Sequence, residues 1–179
     1  DMTISSTELS KITAANLKIG DASTGKIYTD NVSESDTSNV SGTVTLTNSS
    51  DIIFHGQKSF FSTLTLTADR NISIETSVET TVGNFTATAD ADSDDEGKFT
   101  LDTGKTLTSA GNVTIDAVQI ERFGSIDATG STTLTGELVT IGSGNTKKKK
   151  PDQAEASLDS DYDIDEYKIE EQLVDTDSD

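Results

Sequence analysis

Two stretches of this sequence space their carboxylates as hard-cation loops do. Asp90-x-Asp92-x-Asp94-Asp95-Glu96-Gly97 and Asp159-x-Asp161-x-Asp163-x-Asp165 place acids at alternate positions. Oxygen ligands so arranged suit calcium. The second run sets Glu170 at the twelfth position from Asp159, yet Ile164 stands where an EF-hand needs glycine. The candidate calcium ligands are therefore Asp90, Asp92, Asp94, Asp95 and Glu96 in one run and Asp159, Asp161 and Asp163 in the other. No cofactor is required, and calcium is the one these residues would take. Runs of acid also serve simply as solvated surface.

Little else in the chain offers reactive chemistry. His55 is the only histidine and ends a strand just before Gly56, so it is expected to face solvent at a corner, without partners for catalysis or metal binding. A β-helix that cleaves acidic polysaccharides would cluster carboxylates with Arg or Lys on one face. The two arginines, Arg70 and Arg122, fall in different turns. No catalytic residue is assigned and no enzyme is expected.

There is no cysteine, which excludes disulfides, thiolate zinc sites and thiol nucleophiles but is compatible with secretion, because a long regular β-fold needs no staples. A net charge of -19 argues against nucleic acid, whose phosphates demand Lys and Arg, and against anionic membrane surfaces. No apolar run approaches the ~18 residues of a membrane helix, so no membrane insertion is expected. The opening Asp1-Met2 suits a processed or excised product. Asn-x-Ser/Thr motifs occur at Asn31, Asn39, Asn48, Asn71, Asn84 and Asn112.

The elements that must carry these residues repeat. Alternating cores begin at Asn16, Thr43, Thr63, Asn84, Asn112 and Ser131, at spacings of 27, 20, 21, 28 and 19 residues. Each is followed by a second short strand, as in Asp51-Ile-Ile-Phe, Asn71-Ile-Ser-Ile and Ala117-Val-Gln-Ile, and a weaker third apolar position follows at Val32, Val78, Leu107 and Ile126. Turns rich in Gly, Asp, Asn and Ser separate them. Period-2 alternation of β-branched residues means strands, and self-similarity at ~20 residues means units that stack on their neighbours. The expected fold is all-β: a parallel β-helix of about six to seven coils, ~20 residues each, and a rod of roughly 30 Å at the ~4.8 Å strand spacing.

In that fold Leu64, Leu66, Ile72, Ile74, Val113 and Ile115 face the core while Thr45, Thr65, Thr86 and Thr114 face out. A composition of 31% hydrophobic and 5% aromatic residues makes the core thin and aliphatic. The long spacings place extra residues in loops at 30–42 and 90–97, both acidic and both expected to project from the stack. No capping helix is legible at either end.

The stretches "TELSKITAANLKIGDASTGKIYTDNV", "GTVTLTNSSDIIF", "STLTLTADRNISI" and "AGNVTIDAVQI" together resemble the filamentous-haemagglutinin-type repeats of large secreted bacterial adhesins and surface fibres. The resemblance covers roughly residues 4–144. It implies a right-handed parallel β-helix, exported to the cell surface or beyond and used for adhesion or as a structural fibre, with no catalytic residues to carry over.

Residues 1–146 form the expected β-helix and 147–179 a linker and tail. Lys147 to Lys150 and Pro151 lead into a segment with twelve acidic side chains and Lys168 as its only base. Tyr162, Ile164, Tyr167 and Ile169 in two short x-alternations suggest strands that add to a neighbouring chain. The expectation is a non-enzymatic extracellular structural subunit of a cell-surface fibre or adhesin, whose partners are copies of itself. A second reading is a glycan-binding module using loops 30–42 and 90–97. A third is ice binding by outward Thr-x-Thr pairs, an array that Lys18 and Asp116 interrupt.

Overall fold

A computed structural model of the chain describes residues 1–142, and the backbone of 145–148 and 156–158. The chain winds as a parallel β-helix of about seven turns, ~21 residues per turn, with three walls. One wall is an eight-stranded sheet in the order β1 (Met2–Ser5), β3 (Ile27–Asp30), β5 (Ile52–His55), β8 (Ile72–Ile74), β11 (Lys98–Leu101), β14 (Gln119–Arg122), β17 (Leu138–Ile141) and β18 (Asn145–Lys148); a second is a seven-stranded sheet in the order β19 (Ala156–Leu158), β16 (Thr132–Thr135), β13 (Val113–Asp116), β10 (Phe85–Ala89), β7 (Thr63–Ala68), β4 (Thr43–Asn48) and β2 (Leu17–Ile19); and the third has four strands, β15 (Ser125–Ala128), β12 (Thr106–Ser109), β9 (Val78–Thr80) and β6 (Ser59–Phe61). The third coil is the pattern for those after it: β5 (Ile52–His55), β6 (Ser59–Phe61) and β7 (Thr63–Ala68) each lie on a different wall.

Residues pair across coils without offset on the seven-stranded wall. Leu64 of β7 meets Val44 of β4 (Thr43–Asn48) and Phe85 of β10 (Phe85–Ala89), and Leu66 meets Leu46 and Ala87. β13 (Val113–Asp116) continues both columns with Val113 and Ile115. On the eight-stranded wall Ile72 and Ile74 of β8 (Ile72–Ile74) stack between Ile52 and Phe54 of β5 and Phe99 and Leu101 of β11 (Lys98–Leu101). Leu64, Leu66, Ile72, Ile74, Val113 and Ile115 are all fully buried. Phe54 packs edge-on to Phe61, and Phe85 to Phe99, filling the bore with four rings. Thr65, Thr67 and Ser73 stand on the other side of the pleat, half-exposed.

The segment at 30–42 does not project. It folds as the third wall of the second coil through a one-turn helix, α2 (Glu34–Thr37), which packs on β6. Val32, Thr37 and Val40 are buried, and the Thr37 hydroxyl donates to the carbonyl of Phe60 at 3.0 Å. α1 (Ser6–Leu9) occupies the same wall in the first coil and contacts α2. Helices therefore cover the first strand edge of the four-stranded sheet. Each begins with a serine whose N–H and hydroxyl both donate to a carboxylate three residues on, Ser5 to Glu8 and Ser33 to Asp36, which satisfies the N-cap donor of so short a turn.

Asparagine side chains tie the corners from coil to coil. Asn84 Oδ1 accepts the Asn112 N–H at 2.8 Å, and Asn112 Oδ1 accepts the Ser131 N–H at 2.9 Å. Asn16 receives Thr43, and Asn31 receives Gln57, in the same way. A Cβ on Gly111 would strike Asn84 Oδ1, so glycine at that corner keeps the ladder open. Asn48 is fully buried and donates both amide hydrogens, to the carbonyls of Gly25 and Asp51. Its Asn-x-Ser/Thr motif is thus closed to any modifying enzyme in the folded protein.

At the C-terminal end the chain covers its own edges. β18 (Asn145–Lys148) pairs antiparallel with β17 (Leu138–Ile141), and β19 (Ala156–Leu158) pairs antiparallel with β16 (Thr132–Thr135). β18 runs across position 146, where the sequence placed the end of the β-helix. Tyr162, Ile164, Tyr167 and Ile169 lie outside the described residues.

Candidate functional site

The Asp90 to Gly97 segment is the insertion that does leave the stack. It follows β10, and residues 91–96 are all exposed. Its neck is narrow because Gly97 is buried, and a Cβ there would strike the Asp90 backbone. The loop closes on Asp90, whose Oδ1 accepts the Asp94 N–H at 2.9 Å and the Asp95 N–H at 3.2 Å. Asp90, Ser93 and Asp95 take positive φ values of 74°, 61° and 68°, a left-handed region that Asp tolerates better than most residues.

Carboxylate oxygens of Asp90, Asp92 and Asp94 come within 4.8 Å of one another. Partial desolvation, and then the neighbouring Asp92 carboxylate, push the Asp94 carboxyl above its ordinary value. Such mutual repulsion is relieved by a proton or a cation. Asp95 also lines a cleft of about 270 Å³ between the loop and the next two coils, together with Asp90, Asp116, Glu137, Thr88 and Thr135. Glu96 is exposed beyond both groups. Asp159, Asp161 and Asp163 lie outside the described residues.

The cleft was not anticipated, since Asp116 and Glu137 stand 21 to 47 positions beyond Asp90 and Asp95 in sequence. Register explains the meeting: Thr88 pairs with Asp116, which pairs with Thr135, so the residues just beyond each strand share one corner. Coils written one beneath another would have revealed it.

The remaining charged groups are structural. The ion pairs among the described residues, Lys26–Asp51, Lys58–Glu79 and Lys98–Glu121, all join consecutive coils. His55 is half-buried on the eight-stranded wall, its ring edge-on to Tyr28 at 5.8 Å. Arg122 takes an inward position in register with Leu101. Its Nε is buried without a hydrogen-bond partner, and desolvation pulls the guanidinium below its ordinary value. Arg70 is exposed elsewhere. No helix of the described residues is long and apolar enough to cross a membrane.

Comparison with family models, curated proteins and solved structures finds no match to this chain.

Proposed function

We propose that the protein is a non-enzymatic structural subunit of an extracellular or cell-surface fibre, self-associating end to end. One observation carries the reading. The outer edges of β1 (Met2–Ser5) and β2 (Leu17–Ile19) pair with no described strand, and unpaired edges recruit further strands. Met2 is exposed beside them, and Ile12, Leu17 and Ile19 are only half-buried, so the first coil presents an apolar rim with open backbone groups. At the other end the last strand of the four-stranded sheet, β15 (Ser125–Ala128), also has a free outer edge among the described residues. The two ends differ, and a contact between different surfaces generates open filaments rather than closed dimers. The resemblance to surface-fibre repeats supports the same setting.

A charge placed on the rim tests this. Leu17→Lys sets an ammonium at the open end, where inward-pointing charges block edge pairing. Sedimentation velocity should show concentration-dependent growth for the parent and a folded monomer for Leu17→Lys. A parent that stays monomeric at its highest soluble concentration would overturn the proposal.

The cleft beneath the 90–97 loop favours glycan binding as a second reading, because carboxylates beside hydroxyls are good acceptors for sugar hydroxyl groups. It has less support: the 30–42 segment belongs to the wall, and no aromatic side chain lines the cleft for stacking.

A further inference from the structure

Threonine is distributed unequally over the three walls. On the seven-stranded wall Thr45, Thr65, Thr86, Thr114 and Thr133 are successive register partners and make one outward file. Thr47, Thr67 and Thr88 make a second file beside it, broken at Asp116 and resumed at Thr135. The matching outward file of the eight-stranded wall is mixed and reads Thr3, Tyr28, Ile53, Ser73, Thr100, Glu121, Thr140. That of the four-stranded wall reads Phe60, Glu79, Thr108, Asp127. Strand propensity favours threonine on all three faces alike, so it does not account for segregation to one.

Along the first file, from Thr45 to Thr133, the same face lacks charge, whereas the second file carries Asp116 and borders the acidic cleft under the 90–97 loop. On β4, β7 and β10 every outward strand position is threonine, in a chain of net charge -19. What remains is a grid of hydroxyl and methyl groups, spaced ~4.8 Å from coil to coil and ~6.6 Å along each strand. A discrete ligand engages a few groups and gains nothing from a two-dimensional repeat. A ligand that itself repeats in two dimensions, is uncharged, and accepts hydroxyls into its hydrogen-bond lattice gains from every rank.

We propose that this threonine face binds ice. Its spacings lie near those of the oxygen positions in the ice lattice, the methyl groups hold water in ordered cages, and the hydroxyls anchor that layer to the crystal. Asp116, inside the second file, and Lys18, at the head of the first, draw water into charge-centred shells and limit its extent. This proposal is independent of end-to-end assembly, because the wall lies along the rod and leaves both ends free.

The test uses the full chain and measures the gap between melting and freezing points, together with uptake into a growing ice hemisphere. The parent should show both. Thr65→Lys and Thr86→Lys should abolish both without lowering the melting temperature appreciably, whereas Thr100→Lys on the eight-stranded wall should leave them intact. Asp116→Thr completes the second file and should widen the gap. A folded parent with no gap and no uptake overturns the proposal, as does an Asp116→Thr variant no better than the parent. Dimerisation lost in Thr65→Lys, in the absence of ice activity, assigns the face to a second copy of the chain and overturns it equally.

Discussion

Asp51 shows how one side chain can bind two coils and register pH. Burial alone pushes its carboxyl up, but hydrogen bonds from Lys26 and Asn71 outweigh this and hold it below the ordinary 3.8. A carboxyl depressed in the folded state contributes stability above its unfolded value, and that contribution is lost as pH falls through the folded value. The melting temperature of the parent should therefore fall below about pH 3.8 more steeply than that of Asp51→Asn. Parallel curves would show that this corner adds no pH-dependent stability. Asp94 has the opposite sign: raised in the fold, it costs stability as pH climbs through its folded value. Asp94→Asn should be at least as stable as the parent in chelator, while millimolar calcium should raise the melting temperature of the parent alone, since a ligand of the native state stabilises it by mass action. Calorimetry that detects no calcium binding to the parent would contradict the calcium reading.

At the scale of the element, the pleat decides which substitutions the rod tolerates. Leu66→Asp puts a carboxylate between Leu46 and Ala87, with no partner in the column, and should cost several kcal/mol (on the order of 3–5) or prevent folding. Thr65→Asp, one residue away on the outer face, should cost less than about 1 kcal/mol. Equal thermal shifts for the two would contradict the inward and outward assignment. This contrast was legible in the sequence because period-2 alternation over Thr63 to Thr67 repeats in every coil. The two helices were not, because a four-residue turn is too short to display a 3.6-residue period. Their signal lay instead in the pairs Ser5-x-x-Glu8 and Ser33-x-x-Asp36. The Asp90–Asp92–Asp94 cluster was legible because it is local. The cleft was hidden because Asp116 and Glu137 reach it from later coils. Arg122 departed from pattern in another way, as a cation at an inward position that apolar residues fill in the coils on either side.

At the scale of the whole molecule, the seven coils of the described residues make a rod of roughly 34 Å. Its sides carry coil-to-coil ion pairs, an acidic loop and a threonine wall, while its first coil has two strand edges and an apolar rim that pair with no strand among the described residues. In the proposed assembly, growth along the axis would extend the sheets and hide that rim. The measurement that tests the central claim most directly is small-angle X-ray scattering over a concentration series. The cross-section should stay constant while the length increases with concentration in steps of one rod, with no increase for Leu17→Lys. A particle of one-rod length at every concentration, or one that grows in cross-section instead, would contradict it.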